Sequence, residues 1–533
     1  MTIHSRAVYL RGHPGVRLSD RFSGLSLSRT HSNFAFVIIP VLASKRLFPY
    51  DSGVCRLKRL RLTKGILPKI LITLLWLLPG SLILSNCGGG YGSTGSTHTS
   101  GLHTRAFLSN SVGGNGPAGI YIVNAFTDVY PAGLSPISAG NTPGVMVVTP
   151  NRAQTVIFSG NNTQSSDNEF SIINNLSESN AAHFILPAYT ESYVVSPDST
   201  TAYVAIPNAP VIGQNPGYIQ IVNLIQGALS GQINVPSVHY LWLSNGGNRL
   251  LAFTDVLSTL NGQGCTLTPA FAFVIIPSDV GIEPCPVIPV PGFDHPVQAY
   301  FTPDDTTAYI VNCGPECGGL QASVQPFNLT SCNPTALTCN PPGVPTPVPA
   351  STEALVEGST MYLAGTPYTN GVPSQPCTGE TTAATTCGLL TIFDLTSMTY
   401  QPPIVITDGY HNRIAMGANG QLFIGARTCT EIVPPQPPPP GAEIRGCLSL
   451  YNSLSTAVGS VPGFGVLIPP ENGDATGIQP IGDRTVVYVI QGGSLLIYDI
   501  TIDALEYNPN DPTNPGEIFG LVGDFIDVKT VDF

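Results

Sequence analysis

Residues 196–205 read SPDSTTAYVA and residues 302–311 read TPDDTTAYIV. Each stretch is the end of a strand, a Pro-Asp turn and the start of a second strand of alternating apolar residues. An internal repeat constrains the fold more than any other feature of a chain. A single unit cannot bury its own faces, so neighbouring units must stack on it.

The same order of elements recurs along the chain. A first strand and turn read VMVVTPN (145–151), SYVVSPD (192–198), HYLWLSN (239–245), QAYFTPD (298–304), EALVEGS (353–359), RIAMGAN (413–419) and GIQPIGD (477–483). A second strand follows each turn: TVIFSG, AYVAIP, LLAFTD, AYIVNC, MYLAGT, LFIGAR and VVYVIQ. A third closes each unit, as in EFSIINNL, GYIQIVNL, GLLTIFDL and SLLIYDIT, and a less regular fourth comes next, as in GQINVP (231–236) or PPIVIT (402–407). Runs with period 2 bounded by Pro, Gly, Asn and Asp are strands. Four short antiparallel strands per unit make one blade of an all-β β-propeller.

Seven units are complete, and the two ends supply an eighth. RAFLSN (105–110) and GIYIVNAF (119–126) read as second and third strands with no first strand before them. DFIDVKTVDF (524–533) reads as a first strand with nothing after it. Joining them closes the ring and leaves no open edge at the seam. Eight blades are expected, with seven the alternative if the unit at 477–499 is irregular. Composition agrees: charged residues are 10%, while 56 Gly and 50 Pro mark a turn-rich chain.

The N-terminal part is a different material. Thirteen of the 21 Lys and Arg residues and two of the 33 acidic ones fall in 1–86, leaving eight basic against 31 acidic residues beyond, a net charge of −23. So sharp a reversal marks the boundary between a leader and a folded body. Arg56, Lys58, Arg59, Arg61, Lys64 and Lys69 precede ILITLLWLLPGSLIL (70–84), an apolar run of signal-peptide length. Leu84-Ser85-Asn86-Cys87 resembles the lipobox of bacterial lipoprotein signals, which implies cleavage and lipidation of Cys87. Asn86 departs from the Gly, Ala or Ser of that pattern; an ordinary N-terminal anchor or a cleaved secretory signal is the alternative. The expected organisation is a mis-assigned or disordered basic leader over 1–61, a signal peptide over 62–86, a Gly/Ser/Thr tether over 87–104 and the propeller over 105–533. Export to the cell envelope follows, with the domain facing the periplasm or the exterior.

Cysteine usage fits an oxidising compartment. Apart from Cys55 and Cys87, ten cysteines remain, all between Cys265 and Cys447. Cys377 and Cys387 flank the loop between second and third strands of one blade, and Cys429 and Cys447 flank the matching loop of the next. Cys313 with Cys317, and Cys332 with Cys339, form local pairs, which leaves Cys265 with Cys285. Metal binding by Cys313-Gly-Pro-Glu-Cys317 is the weaker alternative, because the spacing is not that of a zinc site; no metal is assigned.

The units SPDSTTAYVAIPN…GYIQIVNL and TPDDTTAYIVNCG resemble the YVTN-type propeller repeats, in which a Pro-Asp turn precedes a Tyr-Val strand and a later strand reads roughly I-x-V-N/D-L. The resemblance covers about residues 105–533, most clearly in two or three units. It implies the fold. The family's secreted binding propellers, lactonase-like enzymes and quinoprotein-like relatives imply no single activity, and its motif residues are structural.

No G-x-S-x-G, H-E-x-x-H, P-loop or dinucleotide fingerprint occurs in the body. A body so acidic repels phosphate, which argues against nucleic acid as a partner. One constellation remains. His239, His295 and His411 each sit just before or at the start of a first strand, with Asp294 and Arg413 nearby. That junction faces the mouth of the central channel, where imidazoles from different blades can bind a metal or move protons. Each histidine capping its own loop is the plainer alternative. NPNDPTNPGE (508–517) holds carboxylate and amide oxygens without calcium-loop spacing and reads as a surface turn. The expected function is a monomeric, lipid-anchored binding scaffold for a protein or glycan of the envelope, with long loops carrying the contact. A lactonase-like hydrolase and a metal- or quinone-dependent redox propeller are the alternatives; no cofactor is assigned.

Overall fold

The computed structural model describes residues 99–532, apart from 112–115, 162–163, 191, 261–263, 284, 378–384, 431–445, 453–465, 468–472, 507–515 and 519. The leader, the signal segment and Cys87 lie outside the described residues.

Eight antiparallel blades form a ring. The C-terminal strand Phe525–Thr530 pairs with Arg105–Asn110, which pairs with Gly119–Asn124. This composite unit, blade 1, has three strands, and two isolated bridges, Ile120↔Ile137 and Asn124↔Val129, stand where a fourth would lie. The first strands of blades 2 to 8 are Pro143–Val148, Ser192–Val195, Val238–Leu243, Pro296–Phe301, Glu353–Glu357, Tyr410–Met416 and Ala475–Pro480. First strands of successive blades touch one another, so they surround the axis. In blade 6 two short segments, Thr399–Tyr400 and Ile404–Ile406, share the outer edge of the third strand. Helical structure among the described residues is limited to three 3-10 turns.

Local chemistry explains why the units repeat. In the two clearest turns the Asp carboxylate accepts from the preceding hydroxyl and from the following main chain. Asp198 takes Ser196 Oγ (2.5 Å) and Thr200 N (3.1 Å); Asp304 takes Thr302 Oγ1 (2.7 Å) and Thr306 N (3.1 Å). The fourth residue of each turn, Ser199 or Asp305, is left-handed, with φ of 61° and 55°. A second signal ends the third strand. Asn124, Asn174, Asn223, Asp394 and Asp499 each accept a main-chain N–H two or three residues on. The residue four positions later then has positive φ in every case: Asp128, Glu178, Gly227, Met398 and Asp503. Asx turns of this kind explain the Asn/Asp of the I-x-V-N/D-L pattern.

The core lies between blades. Tyr203 points into a layer with Leu241 and Leu250 of blade 4, while its neighbour Val204 points into one with Val156 and Phe158 of blade 2. Second strands are therefore covered on both faces, and Val486–Gln491 is buried throughout. This is why VVYVIQ reads as a continuous apolar run instead of alternating. Layers on both sides of blade 1, one with Tyr488 and Ile490 and one with Met146 and Ile157, complete the circle.

Hydrogen bonds join the first strands from blade to blade. Asp527 Oδ2 accepts Met146 N (2.8 Å), Tyr193 Oη donates to Val145 O, and Ser192 Oγ accepts Leu241 N (3.2 Å). Trp242 Nε1 donates to Val297 O (3.0 Å), Gln298 Nε2 to Glu353 Oε1 (2.8 Å), Thr352 Oγ1 to His411 O (2.8 Å) and Arg413 Nε to Thr476 O (2.7 Å). At the last seam Phe525 N donates to Gly493 O (2.8 Å). There Gly477 lies so close to blade 1 that an added Cβ would sit 3.1 Å from Asp527 Cα.

Candidate functional site

Strand alternation fixes which loops share an end of the ring. The connections into the first strands and those between second and third strands lie at one end, the mouth face. The remaining turns lie at the other. Residues entering the domain attach to that second end: Thr99 Oγ1 donates to Ser177 O (2.9 Å), and Ser100 N and Oγ to Glu178 (2.5 and 2.6 Å).

All ten cysteines of the body are paired as Cys265–Cys285, Cys313–Cys317, Cys332–Cys339, Cys377–Cys387 and Cys429–Cys447. The thiolates of Cys313 and Cys317 are therefore unavailable to a metal. Three bridges, Cys313–Cys317, Cys377–Cys387 and Cys429–Cys447, lie in the second-to-third-strand loops of blades 5, 6 and 7, side by side on the mouth face.

The structure brings part of the histidine constellation together. A cleft of about 300 Å³, open space included, lies between blades 4 and 5, lined by Tyr240, Asp255, His295, Val297 and Cys317 among others. His239 Nε2 stands 2.9 Å from Asp255 Oδ2, and His295 Nδ1 stands 3.0 Å from Asp294 Oδ1. The His295 ring also packs on Phe271, with centroids 4.5 Å apart, and its backbone is left-handed at φ 54°. His411 is elsewhere. It is fully buried in blade 7, with Nε2 against Thr407 O at 3.1 Å and its ring against Gly388. Among the described residues no group of three His, Cys, Asp or Glu side chains is disposed to hold a metal. The acidic stretch 508–517 falls mostly outside the described residues.

Asp294 is a brace as well as a histidine partner. Its Oδ2 accepts Leu320 N (2.7 Å) and Gln321 N (2.9 Å) from the loop of the Cys313–Cys317 bridge. Burial pushes its carboxyl up, but His295 and these two N–H groups pull it below the usual carboxylate range. The same device recurs ahead of other first strands. Asp408 Oδ2 accepts Thr430 N (2.8 Å), Asp474 Oδ1 accepts Thr428 N (2.8 Å) and Asp524 Oδ2 accepts Ser111 Oγ (3.3 Å). Arg427, buried beside Asp474, has its pKa pushed down by burial to about 10.

Arg413 lies in the wall of the channel, not at the cleft. It is buried, and its Nη1 donates to Asn412 O (2.7 Å). Burial lowers its pKa, against the pull of Asp527 and Glu353. Asp527 is itself fully buried, with Lys529 Nζ 3.2 Å away. Sequence reasoning missed Glu353, Asp527 and Gln298. The available signal was a charged or amide residue inside a first strand of a charge-poor chain. The Asp braces had a signal too: an aspartate one or two residues before the first strand.

No family model matches the chain, and no curated protein does. Solved structures do. The dihydro-heme d1 dehydrogenase NirN in complex with DHE superposes with a TM-score of 0.52 at 10% identity, covering 81% of this chain and 75% of that one. A Kuenenia stuttgartiensis hydrazine synthase chain gives 0.42 at 13% identity, over 70% of this chain and all of that one. At such identities the likeness is one of fold alone.

Proposed function

We propose that this chain is an exported propeller, anchored by lipid at Cys87, that binds a protein or glycan of the cell envelope through its mouth face. The observation that carries this reading is the row of three disulfide-stapled loops on adjoining blades, at the end of the ring opposite the tether. Loops held rigid before contact lose little entropy on binding. Exposed apolar side chains lie on this face: Ile212, Leu320 and Val372 sit in the second-to-third-strand loops of blades 3, 5 and 6. Such side chains on the loops of a fixed scaffold suit recognition. The five disulfides support residence outside the reducing cytoplasm. The YVTN-type repeat fits the same reading, since the SPD and TPD turns and their following strands carry structure and no chemistry. With the tether at the far end, an anchored propeller turns its stapled face away from the membrane.

Photo-crosslinking in intact cells tests this. A crosslinker placed at Leu320 or Val372 should capture a discrete envelope component, and one at Ile225 on the opposite face should not. Equal capture from both faces, or none from the mouth face, refutes the reading.

A hydrolase reading is favoured by one observation only: the His295–Asp294 and His239–Asp255 pairs adjoin a single cleft. Hydrolysis of lactone esters by the purified chain, abolished in His295→Gln, would move the assignment there.

A further inference from the structure

The Cys313–Cys317 bridge is the least useful of the five as a staple. Its sequence separation is 4, against 7, 10, 18 and 20 for the others. A bridge that closes so short a loop removes the least chain entropy from the unfolded state.

The loop it closes is also held without it. Cys313 N donates to His295 O (3.0 Å), Gly318 N to Pro315 O (3.2 Å) and Gly319 N to Gly314 O (2.8 Å). Leu320 N and Gln321 N donate to Asp294, and Glu316 Oε2 accepts Thr366 N of the next blade (2.8 Å). The loop is thus pinned at its base, along its turn and to its neighbour by hydrogen bonds that do not involve either sulfur.

Position completes the argument. Cys313 is buried, at 1% exposure, but Cys317 is partly exposed and lines the cleft shared with His295. His295 Nδ1 is engaged by Asp294, which fixes the ring and leaves Nε2 without a protein partner among the described residues. Nε2 lies beside Gly318, the residue after Cys317: a Cβ on that glycine would stand 3.9 Å from it.

We infer that Cys313–Cys317 is an exchangeable disulfide, open to thiol–disulfide exchange with a protein dithiol that enters the cleft, with His295 as the proton acceptor. The first thiol gives its proton to His295 Nε2 and attacks Cys317 Sγ. The bond between Cys317 and Cys313 breaks, its electron pair leaves on Cys313 Sγ, and that thiolate takes up a proton. The partner's second thiol then attacks the partner sulfur bonded to Cys317 and releases the Cys317 thiol. The net change is two-electron oxidation of the partner dithiol to a disulfide and reduction of Cys313–Cys317 to two thiols. Attack falls on Cys317 because Cys313 is enclosed. The inference does not need the binding role proposed above, but it leaves Cys377–Cys387 and Cys429–Cys447 as the staples of that face, with the blade 5 loop held by Asp294 and Glu316.

The test uses the full mature chain, equilibrated under native conditions with graded mixtures of reduced and oxidised glutathione, then alkylated and mapped by peptide mass. Cys313 and Cys317 should be labelled at mixtures about tenfold less reducing than any other pair requires, with the far-ultraviolet dichroism unchanged. Two variants check direction and mechanism. Cys313→Ser should form a mixed disulfide with glutathione at Cys317, whereas Cys317→Ser should leave Cys313 unmodified. His295→Gln should slow labelling of the pair and flatten its pH dependence without shifting the equilibrium mixture. Reduction of Cys313–Cys317 together with or after the other bridges, or loss of the fold when it opens, overturns the inference. So does equal glutathione capture by both serine variants.

Discussion

Arg105 and Asp532 are 427 positions apart in the chain, and their side chains meet at 2.5 Å between Nη2 and Oδ1. Nε also reaches Asp532 Oδ2 (2.9 Å), and Nη1 reaches Glu178 Oε1 (2.8 Å). Arg105 is 1% exposed. One guanidinium thus ties the second strand of blade 1 to the end of the chain and to blade 2. On the other flank Arg484 of blade 8 forms a two-pronged pair with Asp128 of blade 1 at 2.6 Å. Two of the body's eight basic residues therefore clasp the blade that closes the ring.

Asp532 is one of two carboxylates on the buried Arg105, and its removal leaves Glu178 as the remaining counter-charge. Asp532→Ala should therefore destabilise the folded domain by about 3 kcal/mol, through the lost charged hydrogen bonds. Arg484→Ala, at a more exposed pair, should cost roughly 1–3 kcal/mol. Urea unfolding of each variant measures this. Asp532→Ala with wild-type stability would show that closure rests on strand pairing alone.

Acid should loosen the loop that Asp294 braces. Its carboxyl titrates below the usual range in the folded chain, so its contribution is complete above the unfolded value of 3.8 and is lost as pH falls through the lower folded value. Amide exchange at Leu320 and Gln321 should rise in that acid window ahead of exchange in the third strands. Asp294→Ala should bring the same rise at neutral pH, because both N–H groups then lose their acceptor.

The five bridges should appear in non-reducing peptide maps of the purified protein. Removing Cys429–Cys447 as a double alanine variant should cost about 3 kcal/mol, and removing Cys332–Cys339 somewhat less, as their loop lengths dictate. The order of the two melting temperatures is the readout.

Gly388→Ala should destabilise by roughly 1–3 kcal/mol through overpacking. The added Cβ would stand 2.2 Å from His411 Cε1 and 2.7 Å from Thr407 O. A companion His411→Ala change should relieve part of the loss. A full cost retained in the double variant would place the clash at Thr407 instead.

Mass spectrometry of membrane-fraction protein should find a mature N-terminus at a diacylglyceryl-modified Cys87. Cys87→Ser should leave the fraction soluble. A mature terminus elsewhere would return the leader to an ordinary secretory signal.

Whatever depends on neighbours along the chain can be read from the residues alone. The Pro-Asp turns at 197–198 and 303–304, the Asx turns at Asn174 and Asp394 and the strand runs between them are local. So are the short bridges at Cys313–Cys317 and Cys332–Cys339, which is why blades and pairings were legible. Even the composite blade was legible, because RAFLSN lacked a first strand and DFIDVKTVDF lacked a second. Only the ring decided the rest. Whether His239 and His295 share a cleft, why His411 does not, and which carboxylates meet Arg105 and Arg413 depend on how far each blade turns from the last. That angle comes from packing between sheets, summed over eight seams, and no short stretch of sequence encodes it.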